Sequence, residues 1–184
     1  LHIEIEEYRD AAIEANKAID HEERYDFYLL KGMAFEELGN YEKAVSSYSK
    51  ALEMDKVGKE VRIRLSRLKA DNGDFEEAVN ILDDEVHEEK LLKANILLEK
   101  GEIERSVELF KDLLKEDIED DELSIHFGLA LAHMRSDEDK KALDELDKCI
   151  GIDEEFEQAW LNKAKIYKKM GKNKKALEYA NIAK

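Results

Sequence analysis

The chain has 184 residues, of which 41% are charged, and it contains one cysteine and no proline. Its formal net charge of −16 argues against nucleic acid and against an anionic membrane surface as partners, because both are bound through clustered Lys and Arg. A single cysteine excludes an internal disulfide and is typical of a reducing compartment, so we predict a cytoplasmic protein. The abundance of Glu, Lys, Ala and Leu predicts an all-α fold.

The first 24 residues have the pattern of an incomplete helical unit. Residues 1–7 are expected to end one helix, and a second helix then carries a stripe of mostly small apolar residues. That stripe consists of Tyr8, Ala11, Ala12, Ala15, Ala18 and Ile19. Because the chain starts inside this unit, we expect it to be a fragment of a longer protein.

The clearest pattern lies between Tyr25 and Gly58, where two helical stripes meet at Gly39. The first stripe consists of Tyr28, Gly32 and Phe35. The second consists of Tyr41, Ala44, Val45, Tyr48, Ala51 and Leu52, at helical spacing. The small residues let the two helices approach closely, which predicts a helical hairpin. Such a hairpin cannot bury both of its faces alone and needs further copies.

The copies are present in the sequence. Gly39 and Gly73 lie 34 residues apart, and Gly73-Asp74-Phe75 repeats the chemistry of Gly39-Asn40-Tyr41. Related turns begin at Gly101 and Gly171. The unit resembles the tetratricopeptide repeat, in which an aromatic, a small residue and an aromatic precede an Ala-x3-aromatic pair at a 34-residue period.

Two copies carry this resemblance best. The first gives Tyr28-x2-Lys31-Gly32-x2-Phe35 followed by Ala44-x3-Tyr48, and the last gives Trp160-x2-Lys163-Ala164-x2-Tyr167 followed by Ala176-x3-Ala180. The closing proline of the family is absent. The resemblance implies a right-handed α–α superhelix, an alpha solenoid of stacked hairpins, with eleven or twelve helices in one array over residues 1–184.

The repeat boundaries follow from these positions. The array divides into a partial repeat, 1–24, and five repeats, 25–58, 59–87, 88–117, 118–153 and 154–184. Gly73 and Gly101 are only 28 residues apart, so one helix must be shortened and we predict an irregularity near residues 83–89. The fourth turn, 135–139, has no glycine.

We find no motif that predicts catalysis, a cofactor or a metal site. His21 and His87 each precede a Glu, but Tyr25 and Leu91 stand where a second zinc-binding histidine would be needed. No glycine-rich phosphate loop is present, and Cys149 falls on the apolar stripe, which indicates a buried thiol. The chain is therefore predicted not to be an enzyme, with no cofactor.

In the family that the repeats resemble, the first helix of each hairpin lines a groove that binds a protein or peptide partner. Carried over by position, this groove would consist of Leu29, Met33, Ile63, Arg64, Arg67, Leu91, Asn95, Leu98, Ile125, Leu129, Leu161, Asn162, Lys165 and Lys169. Residues 154–184 carry eight lysines and four acidic residues, so we expect the partner's acidic end to meet the last repeat.

We interpret the chain as a non-enzymatic interaction scaffold with no nucleic-acid or membrane partner. The alternative is an accessory or regulatory domain cut from a larger enzyme or sensor. The sequence leaves the partner and the oligomeric state open.

Overall fold

The computed structural model describes residues 2–55, 58–116 and 119–183, with the backbone alone for residues 2–4 and 119. The described residues form eleven α-helices and no strand, so the prediction of an all-α fold with eleven or twelve helices is confirmed. The helices are α1 His2–His21, α2 Tyr25–Glu37, α3 Tyr41–Met54, α4 Lys59–Asp71, α5 Phe75–Ile81, α6 His87–Lys100, α7 Ile103–Leu113, α8 Glu122–Arg135, α9 Asp139–Ile152, α10 Glu157–Lys169 and α11 Asn173–Ile182. One 3-10 turn, Glu119–Asp121, precedes α8.

The helices belong to two compact units, Leu1–Asp84 and Glu85–Lys184. In the first unit α2 pairs with α3 and α4 with α5, and α1 packs against α2. In the second unit α6 pairs with α7, α8 with α9 and α10 with α11. The leading helix of each pair (α2, α4, α6, α8, α10) is called the first helix below, and its partner the second helix.

Helix α1 differs from the expectation of a break near its start. It is one continuous helix from residue 2 to residue 21, so the prediction that one helix ends within residues 1–7 is wrong. The segment Ile3-Glu4-Ile5-Glu6-Glu7 holds no glycine or turn-forming residue, and Glu continues a helix readily. Leu1 lies outside the described residues. Ala12 and Ala15 are the buried members of the stripe on α1.

All five hairpins turn in the same way. At each turn an amide just past the helix end donates to the carbonyl five residues earlier, the bond that defines a Schellman motif. These bonds join Asn40 to Phe35, Asp74 to Lys69, Glu102 to Leu97, Glu138 to His133 and Lys172 to Tyr167, at 2.8–2.9 Å. Four turns place glycine at positive φ, and the fourth hairpin places Asp137 there, at φ 56°. The glycine-free turn therefore keeps the same backbone path.

The irregularity predicted near residues 83–89 is confirmed, and its origin is the second helix α5. This helix has 7 residues, half the 14 of α3. It ends at Ile81, because the backbone of the next residue, Leu82, is extended (φ −82°, ψ 142°). The next first helix, α6, keeps its full 14 residues.

The core of each unit lies between the hairpin helices. Tyr48 and Phe110 are fully buried on their second helices. A Cβ added to Gly32 would meet the ring of Tyr48, and one added to Gly128 would meet the ring of Phe110. The predicted close contact at Gly32 is confirmed. Ala44 is fully buried in the core cluster that α3 shares with α2 and α4, as its place on the stripe predicts. Other aromatic side chains, including Phe127 and Trp160, are partly buried.

Two buried serines link the paired helices through their backbones. The Ser66 hydroxyl donates to the Ala78 carbonyl at 2.8 Å, which joins α4 to α5. In the next hairpin the donor is on the second helix, since the Ser106 hydroxyl donates to the Ala94 carbonyl at 2.7 Å. Ser66 and Ser106 occupy the repeat positions of Gly32 and Ala44, where the side chain is small. Because each buried hydroxyl makes a hydrogen bond, the serines cause little loss of folding free energy at these positions.

Candidate functional site

The first unit presents the predicted partner-binding residues on α2 and α4. Leu29 and Met33 of α2 are half-buried, and Arg67 of α4 is exposed. Ile63 is 7% exposed and belongs to the packing rather than to an open surface. The half-buried Arg64 lies between the two helices and connects them.

Arg64 is held by a short network. Its Nη1 donates to Oε2 of Glu36 at 3.1 Å, and its Nε donates to Oε1 of Glu60 at 3.1 Å. The same Glu36 oxygen accepts the Tyr48 hydroxyl at 2.5 Å. Burial, and then the bond to Glu36, raise the pKa of the Tyr48 phenol far above its usual range, so it stays a donor. Two carboxylates neutralise Arg64. The exposed Arg67 is therefore the positive charge of α4 that is more available to a partner.

In the second unit, three of the predicted contact residues are internal. Leu98, Ile125 and Leu129 are at most 4% exposed and pack with Phe110 in one cluster. Helices α6 and α8 lie directly against each other, which covers the positions that the repeat pattern assigns to an open groove. The Arg135 guanidinium of α8 also donates to the Leu98 carbonyl of α6. These side chains stabilise the unit and offer no free area to a partner.

The accessible residues of the second unit lie on α6 and α10. Leu91 is half-buried, and the exposed Asn95 donates to the Leu91 carbonyl at 3.0 Å. On α10, Leu161 is 37% exposed and Lys165 follows it by one helical turn. The Lys165 ammonium donates to Oδ1 of Asn162, a buried side chain, at 3.0 Å.

The lysines of the last hairpin differ in whether their ammonium groups are paired with carboxylates. Lys163 is 6% exposed, bonds to Asp147 and lies 4.7 Å from the centre of the Tyr179 ring. Lys169 bonds to Asp137 and Asp139 at 2.8 Å each, and these carboxylates raise its pKa. In the part of the chain that the structure describes, Lys165 has no ion-pair partner. The sequence alone treats these lysines as one basic patch, whereas the structure neutralises two of them.

Lys172 and Lys175 lie over an aromatic stack. The rings of Trp160, Tyr179 and Tyr167 stack in series, with centroid separations of 5.8 and 5.3 Å. The two ammonium groups stand 5.6 and 5.3 Å from the Tyr167 ring. Cations over aromatic faces are attracted by the ring quadrupole, so this stack anchors the end of the hairpin.

The described residues offer no arrangement for metal or thiol chemistry. Among residues 2–55, 58–116 and 119–183, no group of three or more His, Cys, Asp or Glu side chains is placed to hold a metal ion. His126 and His133 instead pair separately, with Glu145 and Glu138, at 2.6 Å each. Burial raises the pKa of the Cys149 thiol to about 12, so it stays protonated near neutrality. No helix in the described ranges is both long and apolar enough to cross a bilayer.

A groove between α1 and α2 is absent from the sequence-based site. It has a volume of about 660 Å³ and is lined mainly by apolar side chains of the two helices. Its lining residues are Tyr8, Ala11, Glu14, Ala15, Ala18, Phe27, Leu30, Met33, Ala34, Glu37 and Arg64. Of these, the sequence predicts only Met33 and Arg64 at a binding surface. The sequence holds one signal for this groove, namely the alanines on the stripe of α1. That stripe has fewer large side chains than the stripe on α3.

Family comparisons agree with this geometry. Two models of the tetratricopeptide repeat match the chain, one at residues 25–57 and 157–181 and the other at residues 91–155. Together they cover about two thirds of it. The chain belongs to the tetratricopeptide repeat family. No curated protein matches it.

Several solved structures share the fold. A tetratricopeptide repeat protein from Parabacteroides merdae matches with a TM-score of 0.83 at 16% identity, over 96% of this chain and 72% of that one. MamA from Desulfovibrio magneticus matches with 0.74 at 15% identity, over 86% and 92%. YrrB, described as a TPR protein with an unusual peptide-binding site, matches with 0.67 at 16% identity, over 94% and 92%. The predicted fold class, an all-α solenoid of tetratricopeptide hairpins, is confirmed.

Proposed function

We propose that this chain is a non-enzymatic scaffold that binds a protein or peptide partner through side chains of its first helices. The observation that carries the proposal is the pair Leu161 and Lys165 on α10. An exposed leucine stands one turn from a lysine that has no carboxylate partner within the described residues. An apolar anchor beside a free cation is a combination that surfaces use to recognise a segment of another protein.

The chemistry of this pair defines the segment that fits it. Leu161 offers contact to an apolar side chain, and Lys165 offers a charge-assisted hydrogen bond to a carboxylate about one turn away. Lys169 lies one further turn along α10, but it already bonds to Asp137 and Asp139. It would therefore have to exchange partners before it could bind a ligand. We infer a partner segment that is apolar and then acidic where it meets α10.

On the first unit, the corresponding residues are Leu29 and Met33 of α2 and Arg67 of α4. They combine half-buried apolar side chains with an exposed cation. The solved YrrB structure, which shares the fold, has a described peptide-binding site. This likeness supports peptide recognition as a use of the fold, and the residues above are the ones that this chain would contribute.

The experiment begins with capture of a partner from a lysate of the source organism and identification of the bound segment by cross-linking. Association and dissociation rates are then measured for variants. Lys165→Glu should slow association several-fold, and the salt dependence of that rate should weaken, because charge steers the encounter. Leu161→Ala should mainly speed dissociation, since apolar contacts act after docking.

The matched control is Lys140→Glu, the same charge reversal at an exposed lysine of the second helix α9. It should leave both rates close to those of the unchanged chain. Equal effects of Lys165→Glu and Lys140→Glu, or cross-links confined to second helices, would contradict the proposal.

A further inference from the structure

Lys165 stands at a repeat position that is not buried in any of the five hairpins. The position lies six residues before the residue with positive φ in each turn, and its occupants are Met33, Arg67, Asn95, Leu131 and Lys165. The three polar residues are exposed, and the two apolar ones are half-buried. Four of these hairpins are followed in the chain by another hairpin, and the position is accessible there as well. The exposure of Lys165 is therefore a property of the position.

The hydrogen-bond acceptor of Lys165 differs in charge from the acceptors of two other lysines on α10. Lys163 and Lys169 bond to aspartates, which neutralise their ammonium groups. Lys165 instead donates to Oδ1 of Asn162 at 3.0 Å. An amide oxygen accepts a hydrogen bond but carries no formal charge. Within the described residues, the Lys165 ammonium is therefore held by a neighbour that does not neutralise it.

Asn162 can hold the lysine in place because the asparagine is itself buried. It is 6% exposed, whereas Lys165 is exposed. The two residues lie three positions apart on α10, so their side chains are neighbours on one face of the helix. An ammonium group has three donors, and Asn162 uses one of them. Two donors remain for a carboxylate of a ligand.

We propose that Asn162 is the positioning residue of the partner-binding surface on α10. It orients the Lys165 ammonium for a carboxylate of the partner segment and preserves the positive charge of that group. The inference rests on the proposed function and deepens it. A long side chain that is ordered before binding loses less conformational entropy when the ligand arrives. Because the acceptor is neutral, the charge that steers an acidic segment toward α10 is retained.

The first measurement needs no partner and uses nuclear magnetic resonance of the whole, unchanged chain. Carbon relaxation at Cε reports the order of each lysine side chain. Lys165 should be more ordered than Lys174, an exposed lysine of α11 that has no ion-pair partner in the part of the chain that the structure describes. Equal order in the two lysines would overturn the proposal.

Two nitroxide probes then measure the charge that Lys165 presents to a ligand. Carboxy-PROXYL is anionic and carbamoyl-PROXYL is neutral, so the ratio of their paramagnetic relaxation enhancements at the Cε protons rises with the local positive potential. This ratio should be at least twofold larger at Lys165 than at Lys169, which is paired with two carboxylates. Equal ratios at these two lysines would contradict the proposal.

Two substitutions of Asn162 separate orientation from charge. Asn162→Ala removes the acceptor, so Lys165 should lose order while the nitroxide ratio stays high. Asn162→Asp keeps an acceptor but adds a negative charge, so Lys165 should stay ordered while the ratio falls to that of Lys169. Asn80→Ala, at an exposed asparagine of α5, is the control and should change neither quantity. If the two Asn162 variants act alike, Asn162 has a packing role only.

Far-UV circular dichroism shows whether the Asn162 variants fold. If one of them does not, the comparisons of Lys165 with Lys174 and with Lys169 in the unchanged chain still decide the proposal, since they need no substitution.

The captured partner distinguishes this inference from the proposed function. Asn162→Ala should leave the association rate unchanged and speed dissociation about twofold to tenfold, whereas Asn162→Asp should slow association as Lys165→Glu does. If Lys165→Glu slows association and Asn162→Ala changes neither rate, the proposed function stands and the positioning role is refuted. If Lys165→Glu leaves the partner's rates unchanged while Asn162→Ala still disorders Lys165, the proposed function fails. In that case Asn162 orders a lysine that the partner does not use.

Discussion

The ring of Tyr48 lies directly over Gly32, so close that a Cβ added to this glycine would collide with Cε1 of the ring. The ring has little freedom to move aside, because Tyr48 is fully buried and its hydroxyl is bonded to Glu36. Glu36 is bonded in turn to Arg64 of the next first helix. One glycine therefore determines both the spacing of α2 and α3 and the position of the network that connects α2 to α4.

Gly32→Ala should destabilise the chain despite the better helix propensity of alanine. The added methyl group overpacks a rigid ring, which costs about 1–3 kcal/mol, and the gain from propensity is only about 1 kcal/mol. Ala44→Leu should cost about 1–3 kcal/mol for the same reason, because Ala44 is fully buried. Urea unfolding followed by circular dichroism measures both changes.

The control for this prediction is Gly151→Ala. Gly151 lies in α9, and nothing stands within 4 Å of the position that a Cβ would take there, so the substitution should raise stability by about 0.5–1 kcal/mol. If both glycine variants shift the urea midpoint upward, the contact between Gly32 and Tyr48 does not constrain the hairpin.

Asp137→Gly should stabilise the fourth hairpin. Asp137 has the left-handed backbone conformation that the other four turns give to glycine, and a side chain there costs energy. The ion pair with Lys169 is lost, but the Asp137 side chain is 85% exposed and Lys169 keeps Asp139. We expect a net gain of about 0.5 kcal/mol in the free energy of unfolding.

Ser136→Gly serves as the comparison, because Ser136 has a negative φ of −89° and gains nothing from glycine. It should lower the urea midpoint slightly. A loss of stability in Asp137→Gly of the same size as in Ser136→Gly would show that the aspartate is not strained.

Glu116 should make stability depend on pH in the acid range. The hydrogen bond from Lys90, at 2.5 Å, and then the one from His87 hold the pKa of Glu116 below its ordinary value. A carboxyl whose pKa is lower in the folded state stabilises that state above the unfolded pKa. This stabilisation disappears as the pH falls through the folded pKa.

Glu116→Gln should therefore lower the urea midpoint at pH 7. The difference from the unchanged chain should begin to shrink as the pH falls through the ordinary range of a glutamate pKa, about 4, and should vanish below the lowered pKa of the folded state. Its size should be at most about 1 kcal/mol, because the Glu116 side chain is 30% exposed and solvent screens the pair. Asp112→Asn, in the more exposed pair with Lys115, should show a smaller difference. A Glu116→Gln effect that is the same at pH 7 and pH 3 would contradict the prediction.

The helices and their turns could be predicted from the sequence because both depend on local information. The spacing of Gly39, Gly73, Gly101 and Gly171 locates four turns, and the 28-residue step reveals the shortened helix. Helix α1 is the local exception. Only the repeat pattern requires a break there, and the residues themselves favour a continuous helix.

The candidate site could be predicted less well, because exposure depends on neighbours that are distant in sequence. Leu98 and Leu129 occupy groove positions by count, but they are buried because α6 and α8 lie against each other. The sequence predicts Lys163 as an unpaired cation, whereas in the structure it bonds to Asp147, which lies 16 residues away in the chain. The groove beside α1 depends on which alanines are covered, and the pattern of residues carries no such information.

The five hairpin turns share one main-chain hydrogen bond, and this has a consequence for how the protein can change over time. Since no particular side chain makes this bond, the same turn forms with different loop residues, as Asp137 in place of glycine shows. A gene that gains, loses or exchanges one hairpin would therefore keep the same backbone turn in every hairpin. Substitutions can then accumulate on the exposed faces of the helices while the backbone of the turns stays the same.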